Sequence, residues 1–104
     1  MSTFFKGKTA IITGASRGIG RDLAIALGKH GCNVVIAAKT TTAHPSLPGT
    51  IYDVADEVET HGGKALPFVL DVQDEHRIQE CVDATIKEFN GVDFLINNAS
   101  AMWW

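Results

Sequence analysis

The chain has 104 residues, of which 45% are hydrophobic and 20% charged, and its formal net charge is −3. This length allows one modest domain, and the hydrophobic share is too high for a chain that stays disordered. The weak negative charge argues against partners such as nucleic acid or an anionic membrane surface. No apolar run approaches the roughly 18 residues of a membrane span, and residues 1–8 have no stretch typical of a signal peptide.

Four short apolar runs alternate with three stretches of helical periodicity. The apolar runs predict strands over residues 9–13, 33–38, 65–70 and 92–97. The periodic stretches predict helices over residues 18–29, from a Thr50 cap to about 61, and from an Asp74 cap to 89. Strands that alternate with helices of this length indicate right-handed crossovers and a parallel sheet. The sequence therefore predicts an α/β fold with helices on both faces of the sheet.

The pattern within each helix predicts its inner face. The first helix has apolar residues at helical spacing, which are Ile19, Leu23, Ala26 and Leu27. On the second helix the stripe is Ile51, Val54, Ala55 and Val58. On the third, the residues expected to face the core are Ile78, Cys81, Val82, Ile86 and Phe89.

The cysteines and histidines are scattered and form no ligand pattern. Cys32 and Cys81 stand far apart, which predicts two small buried thiols in a reducing compartment. The four histidines are expected on the surface or in loops. We therefore expect no metal site.

A glycine-rich turn follows the first strand directly. Its sequence, residues 13–20, is Thr-Gly-Ala-Ser-Arg-Gly-Ile-Gly. A tight turn of this kind brings the backbone close to a pyrophosphate, and the amides at the start of the next helix then face the anion. The alternative is a plain glycine-rich turn. Its position between a buried strand and an amphipathic helix favours a dinucleotide-binding turn.

This turn resembles the cofactor loop of the short-chain dehydrogenase/reductase family. Leu-Ile-Asn-Asn-Ala-Ser at residues 95–100 is similar to the Asn-Asn-Ala-Gly motif of that family, with Ser100 in place of glycine. Several segments between residues 36 and 67 are more similar still to its hydroxysteroid dehydrogenase-like branch. The resemblance implies the N-terminal part of a doubly wound Rossmann fold, with strand order 3-2-1-4, and a nicotinamide dinucleotide as cofactor.

The resemblance also implies which residues contact that cofactor. Those of the phosphate turn are Gly14, Ser16, Arg17, Gly18, Ile19 and Gly20. Asp71 would accept a hydrogen bond from the adenine amino group, with the Val72 amide nearby. The alternative for Asp71 is a carboxylate that caps a helix or ends a strand. Residues expected along the ribose are Asn98, Ala99 and Ser100, whereas Asn97 is equally well explained as a bridge between strand ends.

Charge at the end of the second strand bears on the choice of cofactor. A site for NAD usually has an acidic residue there, which binds the ribose 2′-hydroxyl. This sequence has Lys39 followed by threonines at 40–42, and Arg17 can approach the same position. Cations and hydroxyls suit a 2′-phosphate. The sequence therefore predicts NADP(H) rather than NAD(H), with solvated charges at Lys39 and Arg17 as the alternative.

The catalytic residues that the resemblance implies have no counterpart in this chain. The family uses a Tyr as general acid/base, a Lys four residues later and a Ser that orients the substrate. The only tyrosine, Tyr52, is followed four residues later by Asp56. We therefore expect residues 1–104 to form an incomplete NADP(H)-binding Rossmann domain, with 101–104 as a non-native tail.

Three functions fit this sequence. The first is the cofactor-binding part of an NADP(H)-dependent oxidoreductase that is inactive without further chain. The second is a nucleotide-binding or interaction fragment without catalysis, and the third is a truncated product without function. The fourth strand is expected to form an open apolar edge beside an exposed apolar patch, which favours self-association. The resemblance implies a peroxisome or mitochondrion, otherwise the cytoplasm, and the substrate stays open.

Overall fold

The computed structural model describes residues 4–16, 18–39 and 50–98. Its strands are β1 (Thr9–Thr13), β2 (Asn33–Ala38), β3 (Lys64–Val69) and β4 (Phe94–Asn97), and its helices are α1 (Gly18–Lys29), α2 (Ile51–Thr60) and α3 (Glu75–Phe89). The predicted order and type of all seven elements are confirmed. The tail expected at 101–104 lies outside the described residues.

Two strand boundaries differ from the prediction. β3 lies one residue earlier than 65–70, and β4 begins two residues later than 92. The reason at β4 is Asp93, whose carboxylate Oδ2 accepts a hydrogen bond from the Thr9 N–H at 2.8 Å. In a regular β-ladder the Thr9 N–H would donate to a backbone carbonyl oxygen of β4. Here it donates to the Asp93 side chain instead, and the regular strand starts after Asp93.

The four strands form one parallel sheet in the order β3-β2-β1-β4, as predicted. β1 lies at its centre, where Ile12 pairs with Ile36 on one side and with Ile96 on the other. β1 is buried along its whole length and β2 nearly so, which explains their continuous apolar sequences. In the described part of the chain β3 and β4 are the edge strands, and both are more exposed.

Helices cover both faces of the sheet, and each face has its own core. On one face, Ile12 and Ile36 of the sheet pack with Val54 and Val58 of α2, alongside residues of α1. On the opposite face, Ile11 and Val35 belong to a smaller core with Cys81 of α3. This division follows from the period of two along a strand, which sends successive side chains to opposite faces.

The helix ends are set by local capping. Thr50 and Asp53 form a reciprocal capping box at the start of α2, and Asp74 caps α3. Gly31 and Gly62 have positive φ angles of 81° and 100° after α1 and α2, and each lies in a hydrogen-bond pattern of the Schellman type. Among the described residues no helix has the length and apolarity needed to cross a bilayer.

The inner face of α1 matches the prediction in part, because Leu27 is buried and Leu23 packs against the core. Ile19 is 78% exposed and Ala26 is also exposed, whereas the buried residues are Gly20, Ala24, Leu27 and Gly28. Two glycines in this face let α1 approach its neighbours closely. A Cβ on Gly28 would lie 2.8 Å from Val58 Cγ1. The buried face of α1 therefore keeps both predicted leucines but is centred on its small residues, and close approach to neighbours, which an apolar pattern does not encode, leaves Ile19 outside it.

The inner face of α3 is also narrower than predicted. Cys81 is buried, but Ile78 and Ile86 are 36% and 48% exposed. Thr85 is fully buried instead, because its hydroxyl donates to the Cys81 carbonyl oxygen at 2.7 Å and so needs no solvent. The described residues therefore leave part of the apolar surface of α3 uncovered.

The two cysteines are free and buried, as predicted. Burial raises the pKa of both thiols, and at Cys32 the nearby charge of Asp93 adds to this effect. Both thiols therefore stay protonated at neutral pH and act as small core residues. His30, His61 and His76 are exposed, and His44 lies outside the described residues.

Candidate functional site

The predicted site residues within the described ranges gather at one edge of the sheet. All strands of a parallel sheet end at the same edge, here called the carboxyl edge, and ligands of open α/β sheets bind there. The turn after β1, Lys39 after β2, Asp71 after β3 and Asn98 after β4 all lie at this edge. The topology therefore brings together residues from four separate parts of the sequence.

The glycine turn between β1 and α1 has the geometry of an anion cradle. Gly14 and Gly18 both have φ angles of 65°, which an L side chain rarely adopts. No atom lies within 4 Å of the place where a Cβ of Gly18 would be. The first N–H groups of α1 have no partners within the helix, and its N-terminus carries a partial positive charge. These features fit a pyrophosphate against the turn.

Gly20 brings α1 close to the end of β1. A Cβ at this position would lie 2.6 Å from the Gly14 carbonyl oxygen and 2.7 Å from Asn98 Nδ2. Real Cβ atoms essentially never come so near to other heavy atoms. A side chain at Gly20 would therefore push the helix away from the turn.

A hydrogen-bond network joins the ends of β1 and β4. The Thr13 hydroxyl donates to Asn97 Oδ1 and accepts from the Asn98 backbone N–H, each at 3.0 Å. The Asn98 side-chain amide donates to the Gly14 carbonyl oxygen at 3.2 Å. Asn97 thus bridges the strand ends, which was one of its two predicted roles. The Asn98 side chain supports the glycine turn, and its contact with a ribose stays a prediction.

Thr13 was missed as a residue of this network. The sequence places it as the last residue of β1, before the glycine turn. Its side chain could have indicated this role, because a hydroxyl at the end of a central strand can reach the ends of the neighbouring strands. Thr13 is only 5% exposed, so its hydroxyl makes hydrogen bonds within the protein.

Lys39 and Asp71 form an ion pair across the ends of β2 and β3. Lys39 Nζ lies 3.9 Å from Asp71 Oδ2, and the two side chains are 73% and 43% exposed. The other oxygen, Asp71 Oδ1, accepts from the Gln73 N–H at 2.9 Å. Asp71 therefore orders the turn after β3, which was its alternative role, and still offers one oxygen to the site. The pairing of β2 with β3 explains the ion pair, which was not predicted.

The other predicted cofactor residues have different environments. Ser16 is 5% exposed, and the 78% exposed Ile19 lies on the first turn of α1. Val72 is half-buried and packs against the second core. Six of the predicted cofactor-site positions lie outside the described residues or in their gaps, namely Arg17, Thr40, Thr41, Thr42, Ala99 and Ser100. Their roles stay predictions.

An apolar cleft lies between α3 and the β1–β4 side of the sheet. Its volume is about 120 Å³, and its lining consists of Ile11, Thr13, Leu70, Val72, Ile78, Cys81, Val82, Leu95 and Asn97. Leu95 of β4 is 64% exposed beside it. In the described part of the chain β4 pairs only with β1, so its outer edge is open.

The described residues include no cluster of three or more side chains suited to hold a metal ion. Among the residues that the structure describes, the groups that converge at the carboxyl edge are backbone amides, the cation of Lys39, the carboxylate of Asp71 and amide side chains. This set can bind an anion and hydrogen-bond the polar atoms of a nucleotide.

Comparisons with known proteins agree with this geometry. The family model for short chain dehydrogenases matches residues 8–103. The hydroxysteroid dehydrogenase-like protein 2 of Bos taurus is 55% identical over 96 residues, which cover 92% of this chain and 23% of that protein. A short chain dehydrogenase of Mycobacterium thermoresistibile has a TM-score of 0.89 and 45% identity, over 95% of this chain and 35% of the other.

A third relative is an NADH-dependent reductase A1-R′ solved with NAD, at a TM-score of 0.77 and 32% identity. The match covers 93% of this chain and 38% of that protein. The chain thus spans about a quarter of the curated relative from Bos taurus and over a third of this solved structure. Fold, motif order and family match agree over nearly the whole chain. The chain therefore belongs to the short-chain dehydrogenase family.

Proposed function

We propose that this chain binds NADP(H) as the cofactor-binding part of a short-chain dehydrogenase. The observation that carries this proposal is the turn after β1, with positive φ angles at Gly14 and Gly18 and open space at Gly18, at the same sheet edge as the cation of Lys39. Members of the family bind nicotinamide dinucleotides, and the reductase A1-R′ was solved with NAD. Location in a peroxisome or mitochondrion stays a prediction from the hydroxysteroid dehydrogenase-like resemblance.

Each part of the dinucleotide has a counterpart at the carboxyl edge. The turn that includes Gly14 and Gly18 would bind the pyrophosphate through backbone amides. Asp71 Oδ2 is the oxygen left to accept from the adenine amino group, because Oδ1 accepts from Gln73. Asn98 would contact the ribose on the side of the nicotinamide, from its place against Gly14.

Lys39 supports NADP(H) rather than NAD(H). It follows β2 directly, where a carboxylate would serve the 2′-hydroxyl of NAD. An exposed ammonium at that place would attract a 2′-phosphate instead. The name of the reductase A1-R′ shows that this family also includes NADH-dependent enzymes, so the preference rests on this residue of the chain itself.

We also propose that residues 1–104 bind the cofactor without catalysing its reaction. The cofactor supplies the hydride chemistry, between its nicotinamide and a carbonyl or alcohol, in the complete enzyme. Tyr52 lies on α2 with its side chain 49% exposed, and no lysine follows it at four residues. This chain would contribute binding and orientation of the dinucleotide.

A thermal-shift titration tests the binding proposal. Ligand that binds only the folded state stabilises it by about 2.7 kcal/mol at a 100-fold excess over Kd. The melting temperature should therefore rise with NADPH concentration, and less with NADH at equal concentration. Tripolyphosphate serves as the control for stabilisation by any anion. A melting temperature that NADPH does not change would contradict the proposal.

A second candidate function is self-association through β4. The open β4 edge and the exposed Leu95 side chain beside the apolar cleft favour it. An unpaired edge strand pairs readily with the same edge of another copy, and burial of Leu95 would add to the stability of the dimer. Such an interaction is compatible with nucleotide binding, because the cofactor residues lie at the strand ends.

The substitution Leu95→Lys should weaken this association. Loss of a buried leucine costs about 1.5–3 kcal/mol, which corresponds to a rise of roughly tenfold or more in the dissociation constant. Sedimentation over a range of concentrations measures it, with Tyr52→Lys as an exposed aromatic control on a different surface. Identical concentration dependence in the unmodified chain and in Leu95→Lys would contradict the interface.

A further inference from the structure

The ion pair between Lys39 and Asp71 joins two halves of the proposed nucleotide site. Lys39 stands where the 2′-phosphate would bind, and Asp71 stands where the adenine would bind. Their distance of 3.9 Å is too long for a hydrogen bond but close enough for a modest attraction between two largely exposed charges. The two residues therefore do not act independently.

The two partners differ in how firmly they are held. The Gln73 N–H fixes the Asp71 carboxylate through Oδ1, and the Asp71 carbonyl oxygen accepts from the Asp74 N–H at 2.9 Å. Lys39 is 73% exposed, and its long side chain can reorient at small cost. A phosphate that binds nearby would therefore move Lys39 rather than Asp71.

Other described cations near this edge are engaged elsewhere. Arg77 stacks over Phe68, with its guanidinium carbon 4.3 Å from the ring centroid, and donates to the Val69 carbonyl oxygen at 2.6 Å. Arg21 pairs with Glu57 of α2. Within the described ranges, Lys39 is the cation at the strand ends whose partner a phosphate could replace.

We propose that Asp71 is a specificity-determining residue that competes with the 2′-phosphate for Lys39. This inference rests on the proposed function. The Asp71 carboxylate holds the ammonium in the free protein, and a 2′-phosphate must draw Lys39 away from it. Asp71 thereby moderates the preference for NADP(H) over NAD(H), in addition to any contact with adenine that both cofactors share.

The test compares two probes that differ by the 2′-phosphate alone. These are 5′-AMP and adenosine 2′,5′-bisphosphate, whose dissociation constants are measured by calorimetry on the whole chain. The discrimination ratio is the dissociation constant of 5′-AMP divided by that of adenosine 2′,5′-bisphosphate, so a larger ratio means a stronger preference for the 2′-phosphate. A contact with adenine is common to both probes and cancels in this ratio. The variant is Asp71→Asn, whose carbonyl oxygen can still accept from Gln73 and keep the turn.

Asp71→Asn should raise the discrimination ratio about two- to fivefold, the range expected for loss of an exposed ion pair. The rise should be at least halved when Lys39→Met is also present, and it should shrink at high ionic strength. Glu59→Gln removes an equal charge at the far end of α2 and should leave the ratio unchanged.

Two outcomes would overturn the inference, and they are distinguishable. If the unmodified chain binds both probes but Asp71→Asn leaves or lowers the ratio, Asp71 does not compete for Lys39. The same holds if the rise is equally large with Lys39→Met. If the unmodified chain binds neither probe, the proposed function fails and the inference fails with it. Lys39→Met alone gives a second measurement, because it should lower the ratio if Lys39 recognises the phosphate.

Discussion

Substitution of Gly20 by alanine is expected to abolish nucleotide binding and to lower the free energy of unfolding by about 1–3 kcal/mol. The added Cβ would lie 2.6 Å from the Gly14 carbonyl oxygen and 2.7 Å from Asn98 Nδ2. One of these atoms is backbone in the phosphate turn itself. Relief of the contact must therefore move the turn, the helix or both.

This expectation opposes the one from helix propensity. Within a helix, alanine is favoured over glycine by roughly 0.5–1 kcal/mol, so propensity alone predicts a more stable protein. The close approach of α1 to β1 reverses the sign. Urea denaturation of Gly20→Ala distinguishes the two effects: a higher free energy of unfolding would indicate that helix propensity dominates, and a lower one that packing dominates. Titration with NADPH then measures the effect on nucleotide binding.

Gly91→Ala is the matched control. No atom lies within 4 Å of a Cβ added at Gly91, and its φ angle is not in the left-handed region. It should leave both the denaturation midpoint and nucleotide binding almost unchanged. Unaltered binding in Gly20→Ala would contradict the assignment of this turn to the pyrophosphate.

Substitution of Lys39 by aspartate is expected to reverse the cofactor preference. Loss of a charge-assisted hydrogen bond costs about 1.5–3 kcal/mol, so binding of NADPH should weaken by roughly tenfold to 100-fold. A carboxylate at this position would repel the 2′-phosphate and could accept from the 2′-hydroxyl of NADH. Binding of NADH should therefore hold or improve, and competition between the two cofactors measures the change.

The matched control for this charge reversal is Lys87→Asp. Lys87 lies exposed in the last turn of α3, far from the strand ends, and its replacement changes the net charge equally. It should affect both cofactors to the same small extent. If Lys39→Asp lowers the binding of NADPH and NADH equally, Lys39 does not recognise the 2′-phosphate.

Much of this fold could be predicted because local signals agree with one another. The buried strands β1 and β2 are continuous apolar runs, and Thr50 and Asp74 stand where helix caps are needed. The bounds of β1, α1 and β2 match the prediction, since a glycine or a capping residue marks nearly every change of structure. The strand order came from the resemblance to a known family.

The faces of the helices were predicted less well. The helical spacing of apolar residues indicates which side chains share a face of the helix. It does not indicate which other helices or strands pack against that face. In α1, the contacts of Gly20 and Gly28 with other backbone or side-chain atoms bury a glycine-bearing face and leave Ile19 exposed. In α3, the described sheet and helices cover Cys81 but not Ile86.

The sequence by itself determined the succession of elements, the glycine-rich turn after β1 and the cation after β2. These depend on residues near one another in the chain, where backbone conformation and capping act. Only the tertiary structure decided that Asn98 supports Gly14 and that Asp71 holds Lys39. Such contacts join residues 32 to 84 positions apart, and only the parallel pairing of strands brings them together at one edge.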